Sequence, residues 1–324
     1  MTIALMIIVN TPGSWGHVYS PLLHAEWHGC TPTDLVFPFF LFLVGSSMRF
    51  AFVKWHYFPS KKFYGHIFWR SLSIFVAGII LNAFPFIRQA WDWSDFRIMG
   101  VLQRVSLAYG LSALLIIRLD FKQMLQILTG ILLFYWALLW LGSKQGPFEI
   151  ESNFARTFDI LILGESHLYR GFGIPFDPEG ILSTIPSIGT VIIGYLMGGM
   201  LHTTKNYYDC VKRMFVFGFG LVVIGYLWGF IFPINKALWT SSYVFYTSGW
   251  AIVGLAFLIW IIDVHKKSKY FRPFLVFGVN PLFAYVFAEL WASIISGLIK
   301  FQFEGSMFSL KSWVFSEIFA TLFG

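Results

Sequence analysis

The stretch DLVFPFFLFLVGSSMRFAFV, residues 34–53, decides the fold. It carries two charges, Asp34 and Arg49, and residues 35–44 are apolar apart from one proline. Twenty residues at about 1.5 Å rise per residue match the roughly 30 Å hydrocarbon core of a bilayer. No polar stripe recurs at helical spacing, as it would on a helix with one face in water.

Similar runs recur along all 324 residues, at about 1–10, 64–84, 98–117, 122–141, 181–201, 214–232, 240–262, 273–298 and 311–324, ten segments in all. Apolar residues make up 57% of the chain and charged residues 12%, against about 45–50% and 25% in soluble proteins. Mean hydropathy is +0.69. Trp and Tyr, 14 of each, gather near the segment ends as interfacial belts do. The expectation is an all-α, polytopic integral membrane protein with about ten transmembrane helices, forming a single domain over 1–324. MTIALMIIVN at the start lacks a basic region and a cleavage site, and reads as the second half of a helix.

Net charge is +7. The basic residues are spread over short loops, which points to membrane orientation and away from nucleic acid. Loops 53–62, 118–122, 203–213 and 263–272 hold twelve of them: Lys54, Lys61, Lys62, Arg118, Lys122, Lys205, Lys212, Arg213, Lys266, Lys267, Lys269 and Arg272. The alternate loops hold eight over a longer length: Arg88, Arg97, Lys144, Arg156, Arg170, Lys236, Lys300 and Lys311. By the positive-inside rule the first set is cytoplasmic and 11–33, 85–97, 142–180 and 233–239 face outward. Arg49 and Arg70 can snorkel to the cytoplasmic edge, whereas Arg104 sits deeper. Cys30 and Cys210 fall on opposite sides and are not expected to pair.

The densest polar constellation precedes the opening stretch: NTPGSWGHVYSPLLHAEWHGCTPTD, residues 10–34. Three readings compete for it. His24 can act as nucleophile or general base, with Asp34 orienting its ring. His24 and His28, four apart with Glu26 between, can chelate a metal, but Gly29 and Pro32 oppose a regular helix and HExxH is absent, so no metal is expected. Or the aromatic and histidine side chains are interface anchors, with Thr31 as N-cap, Pro32 at N1 and Asp34 at N3 of a capping box. Capping and catalysis are compatible at Asp34.

Other polar groups qualify as binding candidates. Arg104, inside an apolar helix, is either a site residue or half of a structural ion pair. Asp177 and Glu179 complement a helix N-terminus or hold an amine or sugar hydroxyl. Asn235, Lys236, Trp239, Ser242 and Tyr243 suit carbohydrate or nucleotide contacts, with an aromatic belt as the alternative. Asn280-Pro281 implies a broken helix, a feature that often lines a cavity.

LHAEWHG (23–29), DLVFPFFLF (34–42), GVLQR (100–104), FDPEG (176–180), INKALWTSSY (234–243) and GVN (278–280) together resemble the heparan-α-glucosaminide N-acetyltransferase family, in order and over nearly the whole chain. The resemblance implies a transmembrane acetyltransferase that takes acetyl from cytoplasmic acetyl-CoA and delivers it to an amino sugar or glycan across the membrane. It places the catalytic histidine on His24 and its accompanying asparagine and aspartate on Asn10 and Asp34. His28 stands where the animal enzyme has asparagine, and the stretch from Asn10 to His24 is longer. A bacterial plasma-membrane location with the first loop outward goes with this reading, and a homodimer is compatible with it. A sugar permease and an O-acetyltransferase of envelope polysaccharide are the alternatives.

Overall fold

A computed structural model describes residues 1–53, 60–85 and 92–323; Lys54 and Arg88 lie outside the described residues. The chain is mostly helical. The main helices are α1 (Thr2–Asn10), α2 (Val36–Phe52), α3 (Lys61–Ala83), α4 (Val101–Ile116), α5 (Phe121–Gly142), α6 (Phe154–Leu163), α7 (Ile181–Thr203), α8 (Tyr207–Trp228), α9 (Ser241–Ile259), α10 (Arg272–Val279) and α11 (Pro281–Ser293).

Seven described helices are long and apolar enough to cross a membrane: Thr33–Phe52, Lys61–Ala83, Phe121–Gly142, Ile181–Thr203, Tyr207–Trp228, Ser241–Val264 and Pro281–Leu298. Val101–Ile116 is apolar but shorter. The expected run at 1–10 is the nine-residue α1. The run at 273–298 is divided where expected: Asn280 leaves helical geometry, and its side chain accepts from Phe283 N–H at 3.3 Å to cap α11.

Three features depart from expectation. The 142–180 loop contains α6, capped by Asn153, whose side chain accepts from Arg156 N–H at 2.8 Å. Residues 300–309 form an antiparallel hairpin, Lys300–Phe303 with Ser306–Ser309, in an otherwise helical chain. Glu304 and Gly305 both take positive φ, 47° and 81°, as a tight two-residue hairpin turn requires. The run at 311–324 begins with only a short α-helical turn, Leu310–Trp313, and continues as the π-helix Val314–Ala320.

α7 is the central helix, with 83% of its span buried. It packs on α2, α4, α5 and α9. Its closest neighbour is α2, and small residues allow the approach. A Cβ on Gly45 would lie 1.9 Å from the Val191 carbonyl oxygen, and one on Gly194 2.0 Å from that of Phe42. Glycine at such crossings lets backbones touch where no hydrophobic effect drives helices together in lipid. α7 also carries buried hydroxyls next to Pro186. Thr184 Oγ1 donates to Gly180 O at 2.8 Å and Ser187 Oγ to Thr184 O at 2.5 Å, so the polar atoms find partners within the helix.

The three membrane-embedded arginines find aromatic partners. Arg49 donates to Tyr195 Oη at 3.1 Å, and Arg70 lies 5.3 Å from the Tyr109 ring centroid. Arg104, fully buried, stands 4.9 Å from the Trp239 centroid and donates to Ser183 Oγ and to Gly180 O. Of the two readings for Arg104, site residue or half of a structural ion pair, the ion pair does not form among the described residues, and this hydroxyl, carbonyl and π-face set contacts it instead.

The head of α7 is capped from α6. Asp159 Oδ1 accepts from Ile181 N–H at 3.1 Å and Leu182 N–H at 3.2 Å. Burial pushes this carboxyl up to about 7, although the two amides favour its charged form.

Two outcomes follow for stability. Gly194→Leu should lower the melting temperature of the detergent-held protein by the equivalent of about 1–3 kcal/mol or more. Gly130→Leu, at a position with open space around it, should leave it nearly unchanged. Asp159 binds its proton more tightly folded than unfolded. Its contribution is therefore complete below the ordinary value of 3.8 and is lost as pH rises through about 7. Asp159→Asn keeps an acceptor for both amides and should flatten this part of the melting-temperature profile between pH 4 and 7.

Candidate functional site

Residues 11–33 form an irregular strap over the end of the bundle where α2, α4, α7 and α9 begin. It contains only short 3-10 turns, at Trp15–His17, Ser20–Leu22 and Thr33–Leu35. Gly29, at φ 113°, lets the chain reverse, and its N–H donates to Ile234 O at 2.7 Å. Trp27 Nε1 donates to Phe148 O at 2.8 Å, and Asn235 Nδ2 donates to Trp27 O at 2.9 Å. The strap is thus sewn to two distant loops.

Asp34 ends the strap and is almost fully buried. Its Oδ2 accepts from the backbone N–H groups of Ala25 and Thr31, both at 3.0 Å, and lies 3.0 Å from Thr31 Oγ1. Only half of the anticipated capping box forms. The carboxylate reaches back to Thr31 N–H, but the Thr31 hydroxyl turns to Leu23 O at 2.7 Å. The other oxygen, Oδ1, lies 2.6 Å from His24 Nδ1 and 3.3 Å from Lys236 Nζ. One carboxylate thereby holds both the strap and the imidazole.

That short contact assigns the imidazole proton. Nδ1–H donates to Asp34, and in the neutral imidazole Nε2 is then the bare nitrogen. Lys236 Nζ is 3.0 Å from Nδ1 and 3.5 Å from Nε2. Nδ1 already spends its hydrogen on Asp34 and cannot also accept, so the ammonium donates to Asp34 Oδ1 and lies against the ring. His24 remains 44% exposed beside a carboxylate that is 1% exposed, so the imidazole is held yet reachable.

His24, Asp34 and Lys236 line a cavity of about 590 Å³, a size typical of small-molecule sites. Arg97 lines the same cavity. Its Nε and Nη2 donate to Asp177 at 2.9 and 2.7 Å, and Nη2 also donates to Glu179 at 2.7 Å. The guanidinium lies 4.6 Å from the Tyr169 ring centroid. Burial works against this charge, but the two carboxylates outweigh it and raise the Arg97 pKa above its ordinary value. Three further lining residues form a group: Asn10 Nδ2 donates to Glu289 Oε1 at 3.1 Å, and Tyr285 stands beside them.

Of the candidates named from sequence, His24, Asp34, Asn10, Glu179 and Lys236 meet at this cavity. Asp177 lies behind its wall, spent on Arg97. Asn235 is a buried staple: its Oδ1 accepts from Leu238 N–H at 2.8 Å. Trp239 is packed against Arg104, Phe37 and Tyr243. Ser242 donates to Phe232 O, and Tyr243 donates to Asp34 O at 2.6 Å, bracing the head of α2. His28 faces Asn235 and burial lowers its pKa. Arg104 and Asn280 also lie outside the cavity lining, Asn280 being exposed. The nearby Cys30 thiol is pushed up by burial and by Asp34, so it stays protonated.

Arg97, Tyr285 and Glu289 are additions. Glu289 had a sequence signal, a carboxylate inside the apolar run 273–298, under the same rule that singled out Arg104. Arg97 had none beyond being a loop cation.

No protein-family model matches the chain. It is 30% identical over 351 aligned positions to human "Heparan-alpha-glucosaminide N-acetyltransferase", covering 90% of this chain and 51% of that protein. It is 29% identical to the mouse protein of the same name, covering 94% and 53% respectively. The chain therefore spans about half the length of these curated relatives. With that likeness running over nearly all of its own length, and with the motif at 23–34 built into a single site, the chain belongs to the heparan-α-glucosaminide N-acetyltransferase family.

Proposed function

We propose that the protein is a transmembrane N-acetyltransferase, moving acetyl from cytoplasmic acetyl-CoA to an amino sugar of the glucosamine type that reaches the cavity from the outer face. The observation that carries this reading is the contact of 2.6 Å between His24 Nδ1 and a buried Asp34, at a cavity that His24 lines. It is the arrangement by which a carboxylate fixes the tautomer of a reactive imidazole and stabilises the charge that develops on it.

Orientation comes from the loops. α4 and α7 begin at the strap end and run out at Ile116 and Thr203, and the loops that follow them carry Arg118 and Lys205, so these basic loops lie at the other end of the two helices. With those loops in the cytoplasm the cavity faces outward. α1 and α4, added to the long apolar helices, bring the count of membrane segments toward ten, in a single acyltransferase domain.

Two sequences of bond changes are compatible with the site. In the first, His24 Nε2 attacks the thioester carbonyl, the C–S bond breaks, and CoA leaves as the thiol carrying the proton that Nδ1 gives up. The acceptor amine then attacks the acetyl carbonyl, the new N–C bond forms, the bond to Nε2 breaks, and the proton shed by the amine returns to the imidazole. In the second, the amine attacks the thioester directly while Nε2 takes its proton, and the proton leaves with the CoA sulfur. In either, the Lys236 ammonium, 3.5 Å from Nε2, is near enough to stabilise a developing oxyanion. Asn10 lines the same cavity and, with Glu289, shapes the acceptor side.

Full-length protein in lipid vesicles, given labelled acetyl-CoA and glucosamine, should yield N-acetylglucosamine. His24→Ala should abolish the product, and Asp34→Asn should lower turnover about 10²–10⁴-fold. Product formed equally well by His24→Ala would remove His24 from the chemistry. Parallel double-reciprocal lines would support the acetyl-imidazole sequence, and intersecting lines the direct one.

A further inference from the structure

The cavity is unevenly charged. Asp34 is neutralised by Lys236, and Arg97 is shared between Glu179 and Asp177. Glu26 and Glu289 add two more carboxylates to the lining. Carboxylates therefore outnumber cations around this space, and such a field draws in a cation and repels phosphates. This favours an acceptor amine as the occupant over the phosphates of acetyl-CoA.

Glu289 differs from the other carboxylates around the cavity. It sits within the apolar span Pro281–Leu298, half-buried, in the cavity lining. Its hydrogen-bond partners are neutral, the Asn10 amide at 3.1 Å and the Tyr285 hydroxyl. Among the described residues no lysine, arginine or histidine comes within ion-pair distance of it. A carboxylate within a membrane helix and without a counter-charge marks a ligand site by default. Asn10 orients it: with Oε1 tied to the amide on α1, the carboxylate is held in the lining of the cavity that His24 and Lys236 also line.

We infer that Glu289 is the amine-recognition residue of this cavity, binding the protonated amine of a hexosamine through a charge-assisted hydrogen bond. The inference rests on the amino-sugar reading above and supplies its specificity. A neutral hexose has no ammonium to offer. An N-acetylated hexosamine has lost its charge, so the same residue that selects the substrate releases the product.

Equilibrium binding to the full chain in lipid nanodiscs, read by calorimetry, tests this without requiring turnover. Glucosamine should bind about 10–100-fold more tightly than glucose or N-acetylglucosamine, the range of one hydrogen bond to a charged group. Glu289→Gln should erase most of that preference, and Glu289→Asp should keep part of it. The preference is a ratio within one variant, so a fraction of unfolded protein lowers the number of sites and leaves the ratio intact. An unchanged preference in Glu289→Gln, or none in the wild type, would overturn the assignment. The acetylation assay separates the two readings. Wild type that prefers glucosamine yet transfers no acetyl group would refute the enzyme reading while leaving Glu289 as an amine site. Wild type that acetylates glucosamine with its preference untouched in Glu289→Gln would do the reverse.

Discussion

A carboxylate buried at the head of a membrane helix must have all its acceptor capacity used, and the site follows from how Asp34 meets that demand. Oδ2 takes two backbone N–H groups of the strap, which fixes the loop. Oδ1 takes the imidazole and the Lys236 ammonium, which brings the strap against the loop before α9. The backbone carbonyl of the same residue takes the Tyr243 hydroxyl, which locks α2 to α9. An otherwise irregular segment of about twenty residues is therefore ordered by one side chain together with the Trp27 and Gly29 anchors.

The bundle makes that carboxylate affordable. Glycine contacts between α2 and α7 let the backbones approach closely, and α2, α4, α7 and α9 all start at the strap end. Their N-terminal amides contribute positive partial charge there. The carboxylates of Asp34, Asp159, Asp177 and Glu179 gather at those starts, each meeting amides or a cation. The result is an electrostatically dense strap end on an apolar body.

Much of this was legible in residues 10–53. Apolar length pointed to the membrane, and the polar run at 10–34 singled out His24 and Asp34, which the structure brings to 2.6 Å. The strap's backbone amides and the imidazole use different oxygens of that one carboxylate. What lay beyond sequence was tertiary pairing. Arg97 meets Asp177 and Glu179 across some eighty residues, and Asn10 meets Glu289 across 279. Local spacing carries no signal for such contacts. The same limit explains why Asn235, Trp239, Ser242 and Tyr243 read as sugar contacts. Their composition fits a binding surface, but each is buried, and its polar atoms are used to hold the backbone or a neighbouring side chain. Arg104 attracts attention for its cost in the membrane; a hydroxyl, a carbonyl and an indole face contact it without a carboxylate, while its Nε and Nη1 stay buried without a hydrogen bond.

The central claim is that Asp34 sets the tautomer of His24 and leaves Nε2 free for chemistry. The side-chain ¹⁵N shifts of His24, assigned by difference from a His24→Gln sample in lipid nanodiscs, report it directly. A protonated Nδ1 and a bare Nε2 in the wild type, lost in Asp34→Asn, is the predicted result. A proton resident on Nε2 in the wild type, or shifts indifferent to Asp34, would contradict it.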